Sequence, residues 1–153
     1  MSSAYIDGLK MLARRELSEA HVRQRLARRG HDGESIDAAV ERLKKERAID
    51  DARVAEVIAR TETSVKRRGK LRVRLQIERA GISRSMARRA VDDAFDAIDD
   101  DTLIEAALAK RLRGGDVIEN DPEFARFYRY LIGQGFEPDR VIKTLDARRR
   151  RRD

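Results

Sequence analysis

Between Lys66 and Arg89 ten side chains carry a positive charge and one, Glu78, a negative charge. The ten are Lys66, Arg67, Arg68, Lys70, Arg72, Arg74, Arg79, Arg84, Arg88 and Arg89. Guanidinium and ammonium groups gathered in this way displace condensed counterions from a phosphate backbone. The chemistry they suit is electrostatic binding of nucleic acid, weakening steeply with salt. Such contacts position a protein on DNA without reading its sequence. A charge run is also what a solvated helix face presents, but an imbalance this large argues for a contact with nucleic acid. A second basic run comprises Arg148, Arg149, Arg150, Arg151 and Arg152. It reads either as cations suited to the negative end of a helix dipole or as a flexible arm gathering DNA or an acidic surface.

Other chemistries find little support. Asp92, Asp93, Asp96, Asp99, Asp100, Asp101 and Glu105 form an acidic stretch, but the spacing matches no calcium loop and no histidine lies nearby. Helix capping around Asp101 and a solvated face explain it, with contact to a basic partner as the alternative. Asp50 and Asp51 read likewise as helix N-caps. The two histidines, His21 and His31, lack the spacing of zinc ligands, and both read as structural or surface residues. Gly69-Lys70 lacks the upstream glycine and following hydroxyl of a phosphate-cradling loop. No nucleophile–base pair is present, so no catalytic residue, metal, cofactor or small-molecule substrate is expected. Five of seven aromatics fall between Phe124 and Phe136. Phe124, Phe127 and Tyr128 keep helical spacing with Leu131 and read as core. Tyr130 lies off that stripe, near Arg126 and Arg129, where it could stack at the surface.

The elements that carry these residues are written in apolar spacing. Ile36, Ala39, Val40 and Leu43 form one helical stripe; Val54, Val57, Ile58, Thr61 and Val65 another; Ala87, Ala90, Val91, Ala94, Phe95 and Ile98 the clearest. Pro122 and Pro138 follow Asp121 and Glu137, placing a carboxylate at the N-cap and proline at the first helical position. Ser83 suits the cap of a helix starting at Arg84. Leu71–Ile77 alternates apolar and basic residues, a strand pattern, yet Leu71, Leu75 and Glu78 also fit a helix with a basic wrap, the preferred reading.

The preference comes from a repeat. Leu26, Ile77 and Leu131 each stand four residues before a glycine (Gly30, Gly81, Gly135), and His31, Ile82 or Phe136 follows directly. Each glycine ends a helical run, where the left-handed conformation closes a helix. The expected fold is all-α: three tandem three-helix repeats at 4–46, 50–98 and 101–150, in an elongated array that can curve, with a basic tail at 151–153. Gly114-Gly115 marks a long loop in the third copy. The composition agrees: of 153 residues, 41% are hydrophobic, 41% charged and 5% aromatic, against roughly 25% charged in an average domain. That supplies small cores better than one large one.

The net charge of +7 favours an anionic partner. Cysteine is absent, consistent with a reducing compartment. No apolar run approaches the roughly 18 residues of a membrane span and no leader pattern opens the chain, so a soluble cytoplasmic protein without membrane partners is expected.

Several local motifs resemble the RecX family, regulators of the bacterial recombinase RecA. They are Leu9, Leu12, Arg15, Leu17-Ser18, Val22, Leu26 and Gly30 in the first copy. The stretch Ala48-Ile49-Asp50-Asp51-Ala52-Arg53-Val54-Ala55 opens the second, followed by Arg68-Gly69, Arg72, Leu75, Gly81-Ile82 and Ala90. Phe127, Leu131 and Gly135-Phe136 match in the third. Specificity lies in the ordered set, which covers most of the chain. Val54 stands where the family usually has phenylalanine, and Arg68 where lysine is common. The resemblance implies three tandem three-helix repeats and binding to the RecA–DNA filament, on single- and double-stranded DNA. It also implies inhibition of recombinase and ATPase activity, and so a role in recombination, DNA repair and the SOS response. The residues themselves leave open a general DNA- or RNA-binding helical module without a recombinase partner, or a scaffold for an acidic protein.

Overall fold

A computed structural model of the chain describes residues 3–112 and 115–150. Among these residues run nine α-helices: α1 (Ser3–Arg14), α2 (Glu19–Arg28), α3 (Gly33–Lys45), α4 (Asp51–Arg60), α5 (Lys70–Arg79), α6 (Arg84–Phe95), α7 (Asp100–Leu112), α8 (Asp121–Gly133) and α9 (Pro138–Ala147). A π-helical turn, Thr61–Val65, extends α4. The fold is all-α. The Leu71–Ile77 segment lies within α5, so its alternation does not produce a strand. Gly114, Arg151 and Arg152 fall outside the described residues.

The chain gathers into two compact units, one drawn from Met1–Ile58 and Gln76–Ala90, the other from Ala59–Leu75 and Val91–Asp153. The helices of the 50–98 segment contribute to both.

In the first unit α1, α2 and α3 pack on one another. Val22, Leu26, Val40 and Leu43 are fully buried between them, each contributing roughly 1.5–3 kcal/mol. Ser18 caps α2, its Oγ accepting from the His21 amide at 3.2 Å. The same hydroxyl donates to the Ala80 carbonyl beyond α5. Asp50 caps α4, accepting from the Arg53 amide at 3.1 Å, as its position suggests. Asp51 does something different from the expected cap of its own helix: its Oδ1 accepts from the Glu19 amide at 2.9 Å, satisfying an orphan donor in the first turn of α2.

In the second unit α7, α8 and α9 enclose Ile104, Leu108, Leu131, Val141 and Leu145, all fully buried, with Phe127 and Phe136 beside them. The segment before α5 docks on the turn that ends α8. The Gly69 amide donates to the Gln134 carbonyl at 2.8 Å and the Leu71 amide to the Gly135 carbonyl at 3.1 Å. A Cβ on Gly69 would meet the Gly135 carbonyl at 2.5 Å, so the two backbones touch where side chains would hold them apart.

The recurring glycine turn is present three times. Gly30, Gly81 and Gly135 take φ of 89°, 81° and 96°, and the apolar residue four before each is fully buried. At the first and third, the amide of the next residue returns to that apolar residue's carbonyl (His31 to Leu26, Phe136 to Leu131, both 3.3 Å), the Schellman closure of a helix.

Local expectations are corrected in several places. Thr61 and Val65 do not extend the α4 stripe: Val65 is 75% exposed, whereas Glu62 and Thr63 are buried. The π turn adds a residue per turn, which rotates the inward face off the α-helical spacing. On α5 the buried positions are Val73 and Ile77, and Leu71 and Leu75 lie 42% and 43% exposed. Met86 on α6 is exposed, while Ala87, Val91 and Phe95 form the buried stripe the spacing predicts. The cap of α8 is Asn120, one residue before Asp121, accepting from the Glu123 amide at 2.9 Å. Asp99, not Asp101, caps α7, accepting from the Asp101 amide at 3.1 Å. Ser83 caps α6 as expected.

Candidate nucleic-acid interface

The basic block divides by what each cation already holds. Lys66, Arg67, Arg68, Lys70, Arg72 and Arg74 lie in the second unit; Arg79, Arg84, Arg88 and Arg89 lie in the first. Lys66 Nζ sits 3.2 Å from Glu62 Oε1, a carboxylate drawn inward by the π turn whose other oxygen finds no hydrogen-bond partner among the described residues. Lys70 pairs with Asp100 at 3.4 Å and lies over the Phe95 ring. Arg72 donates through Nη1 to the Gly133 carbonyl at 2.8 Å, one of the last carbonyls of α8. Lys70 and Arg72 thus tie the start of α5 to its neighbours.

Of the seven remaining cations, Arg68 is half-buried, and Arg67, Arg74, Arg79, Arg84, Arg88 and Arg89 are exposed; among the described residues none of these six is paired with a carboxylate. Arg67 occupies the left-handed region at φ 53°, a conformation costing on the order of 1–2 kcal/mol for a residue with a side chain. The amides on either side of it hold it there, Lys66 donating to Thr61 O at 3.2 Å and Arg68 to Glu62 O at 2.8 Å. Arg74 and Arg79 share the outer face of α5 with Leu71 and Leu75, and Arg84 and Arg88 stand one turn apart on α6. Guanidinium groups held on helices without acidic partners can meet phosphates without first breaking an internal ion pair.

The C-terminal arginines are engaged as far as Arg150. Arg148 pairs with Glu105. Arg149 stacks over Phe124, 4.0 Å from the ring centroid, and pairs with Asp121 and Asp146. Arg150 forms a two-pronged pair with Glu119 at 2.6 and 2.8 Å, which holds that carboxyl below its usual range. The Ile118 and Arg150 amides complete a parallel bridge between the two segments. For Arg148, Arg149 and Arg150 a flexible arm is therefore incorrect: opposite charges on the 116–121 segment and on α7 clasp them.

The acidic stretch is partly spent in the same way. Asp100 takes Lys70 and Arg140, and Asp101 takes Arg140 at 3.2 Å. No group of three or more potential metal ligands occurs among the described residues. His31 Nε2 lies 2.7 Å from Asp7 Oδ2, joining the turn after α2 to α1. Tyr130 is stacked, but by Arg111, 3.9 Å from its centroid, and not by Arg126 or Arg129.

Two concavities in the first unit went unread in the sequence. One is a groove of about 310 Å³ floored by Leu17, Val54, Val57 and Ala80, with Arg15 and Arg79 at its rim. The other is a cleft of equal volume lined almost wholly by cations from α1 and α2. Neither shows as a charge run, because its residues come from separate helices. Projecting the arginines of α1 and α2 onto helical wheels would have been the available signal.

Three-helix packing within each unit and the recurring glycine closure define an all-α helical-repeat protein. The chain belongs to the RecX family. Residues 4–43 match the family model of the first three-helix domain of RecX. The regulatory protein RecX of Chromohalobacter salexigens is 34% identical over 140 residues, covering 91% of this chain and 88% of the relative. That of Halorhodospira halophila is 31% identical, covering 91% and 84%. The crystal structure of RecX from Lactobacillus salivarius superposes with a TM-score of 0.73 over 94% of this chain and 95% of that one, at 21% identity, a likeness of fold. Among the described residues no helix is long and apolar enough to cross a membrane.

Proposed function

We propose that this protein binds the RecA–DNA filament in the bacterial cytoplasm, restraining filament growth and ATP turnover and so modulating recombination and DNA repair. The observation that carries the reading is the set of exposed arginines without acidic partners, Arg67, Arg74, Arg79, Arg84, Arg88 and Arg89, in a chain whose relatives are named regulatory proteins. Lys66, Arg68, Lys70 and Arg72 support them, Lys70 and Arg72 by anchoring α5. Three helical units at 4–46, 50–98 and 101–150 would span neighbouring sites on the filament, the second contributing the phosphate contacts. A ligand that binds one filament state better than another shifts the population toward it, which is how binding without catalysis would inhibit. The test is the ATPase of RecA on single-stranded DNA with and without this protein. Inhibition at micromolar concentration is expected; unchanged turnover would sink the proposal. Affinity for bare DNA equal to that for a preformed filament would favour a general nucleic-acid module instead.

A further inference from the structure

A cleft of about 310 Å³ opens between α1 and α2, lined by Lys10, Met11, Arg14, Arg15, Arg25 and Arg29. Lys10 and Arg14 stand one turn apart on α1, and Arg25 and Arg29 one turn apart on α2 and its C-cap. Two rungs of cations therefore face one space, with Arg15 added from the end of α1 and Met11 as an apolar lining residue. Among the described residues no carboxylate lines it. Asp7, one turn before Lys10, pairs with His31 at 2.7 Å and reaches Arg29 at 3.4 Å. Lys10 feels Asp7 only at longer range, and Arg14, Arg15 and Arg25 form no ion pair among the described residues. Helix dipoles favour a cation in a last turn, but they favour it all round the helix. Arg28, also in the last turn of α2, does not line the cleft. The dipole explains neither the convergence nor the missing acids.

We infer that this cleft is an anion site for closely spaced phosphates, separate from the Lys66–Arg89 block. Four of its five cations are arginines, whose planar forks pair two oxygens of a phosphate at once. A space of this size brings several positive charges onto a few phosphate groups. An acidic peptide spreads its charge along an extended chain and would need apolar pockets for its other side chains, which Met11 by itself does not provide. Among the described residues the lining contains no aromatic ring on which a base could stack, so recognition is of phosphate and not of base. The source is either the backbone of a nucleic-acid strand or a free oligophosphate.

The full chain carries its own reporters, Met11 in the cleft and Met86 on α6 beside Arg88 and Arg89. With methyl-labelled methionine, tripolyphosphate and oligo(dT) are titrated separately while both methyl resonances are followed. The Met11 methyl is expected to shift saturably. Arg14→Gln with Arg25→Gln weakens that response roughly tenfold and lowers the salt slope of oligonucleotide binding at the cleft by about 1.4, two contacts at about 0.7 each. Arg14→Lys with Arg25→Lys keeps the salt slope, because both charges remain, and loses part of the affinity with the planar forks, which separates charge from geometry. Tripolyphosphate binding tighter than oligo(dT) assigns the cleft to oligophosphates, and the reverse assigns it to a strand; either supports the site. An unmoved Met11 methyl, a wild-type response in the double glutamine variant, or an equal response to polyglutamate would overturn it. The readout needs no recombinase, so failure of the filament proposal would leave the Met11 response unchanged.

Discussion

Asp7 illustrates how one carboxylate serves several groups. Its hydrogen bond to His31 is the main cause of a pKa below the ordinary aspartate value of 3.8, with Arg29 and Lys10 assisting against the cost of desolvation. A carboxyl whose native pKa is depressed contributes stability that is complete above its unfolded value and disappears as pH falls through its native one. Asp7→Asn is therefore expected to lower the urea midpoint at neutral pH, with the gap to wild type closing in acid below pH 3.8. Urea melts at both ends of that range check it; an equal gap at both would show that Asp7 acts through packing and not charge. Glu62 is a different case. It is buried, bound to Lys66 through one oxygen, and reached only because the π turn swings it inward.

At the scale of elements, three glycine closures with similar φ have unequal surroundings. A Cβ at Gly30 would meet nothing within 4 Å. One at Gly135 would lie 2.3 Å from the Arg72 Cβ and 2.5 Å from its amide nitrogen. Gly30→Ala should cost about 1–2 kcal/mol, the left-handed strain itself. Gly135→Ala adds a backbone collision and should cost about 2–5 kcal/mol. It should also push α5 off the end of α8, breaking the Arg72–Gly133 bond. Denaturant titration of both variants checks the ranking, and equal losses would mean that the α5–α8 approach relaxes without cost.

For the molecule as a whole, what matters is how many cations are free for an outside anion. Net charge of +7 counts every lysine and arginine alike, yet Lys70, Arg72 and Arg148–Arg150 have internal partners. Arg67→Gln with Arg74→Gln should flatten the salt dependence of single-strand binding by about 1.4. Arg149→Gln with Arg150→Gln should leave that slope near wild type and lower thermal stability instead. Fluorescence titrations across a salt series distinguish the two pairs; equal changes in slope would show that the C-terminal clasp opens on binding.

Helix periodicity, the glycine closures and the Ser83 and Asp50 caps were legible in the residues themselves, because each rests on interactions within a few positions of the chain. So were the family and the excess of positive charge. The solvent face of α5, the inward turn of Glu62, the reach of Asp51 to α2 and the clasping of Arg148–Arg150 were decided only in the tertiary structure. The same holds for the cationic cleft between α1 and α2. In each of these the deciding neighbour is distant in sequence or the helical register changes, and local spacing carries no record of either.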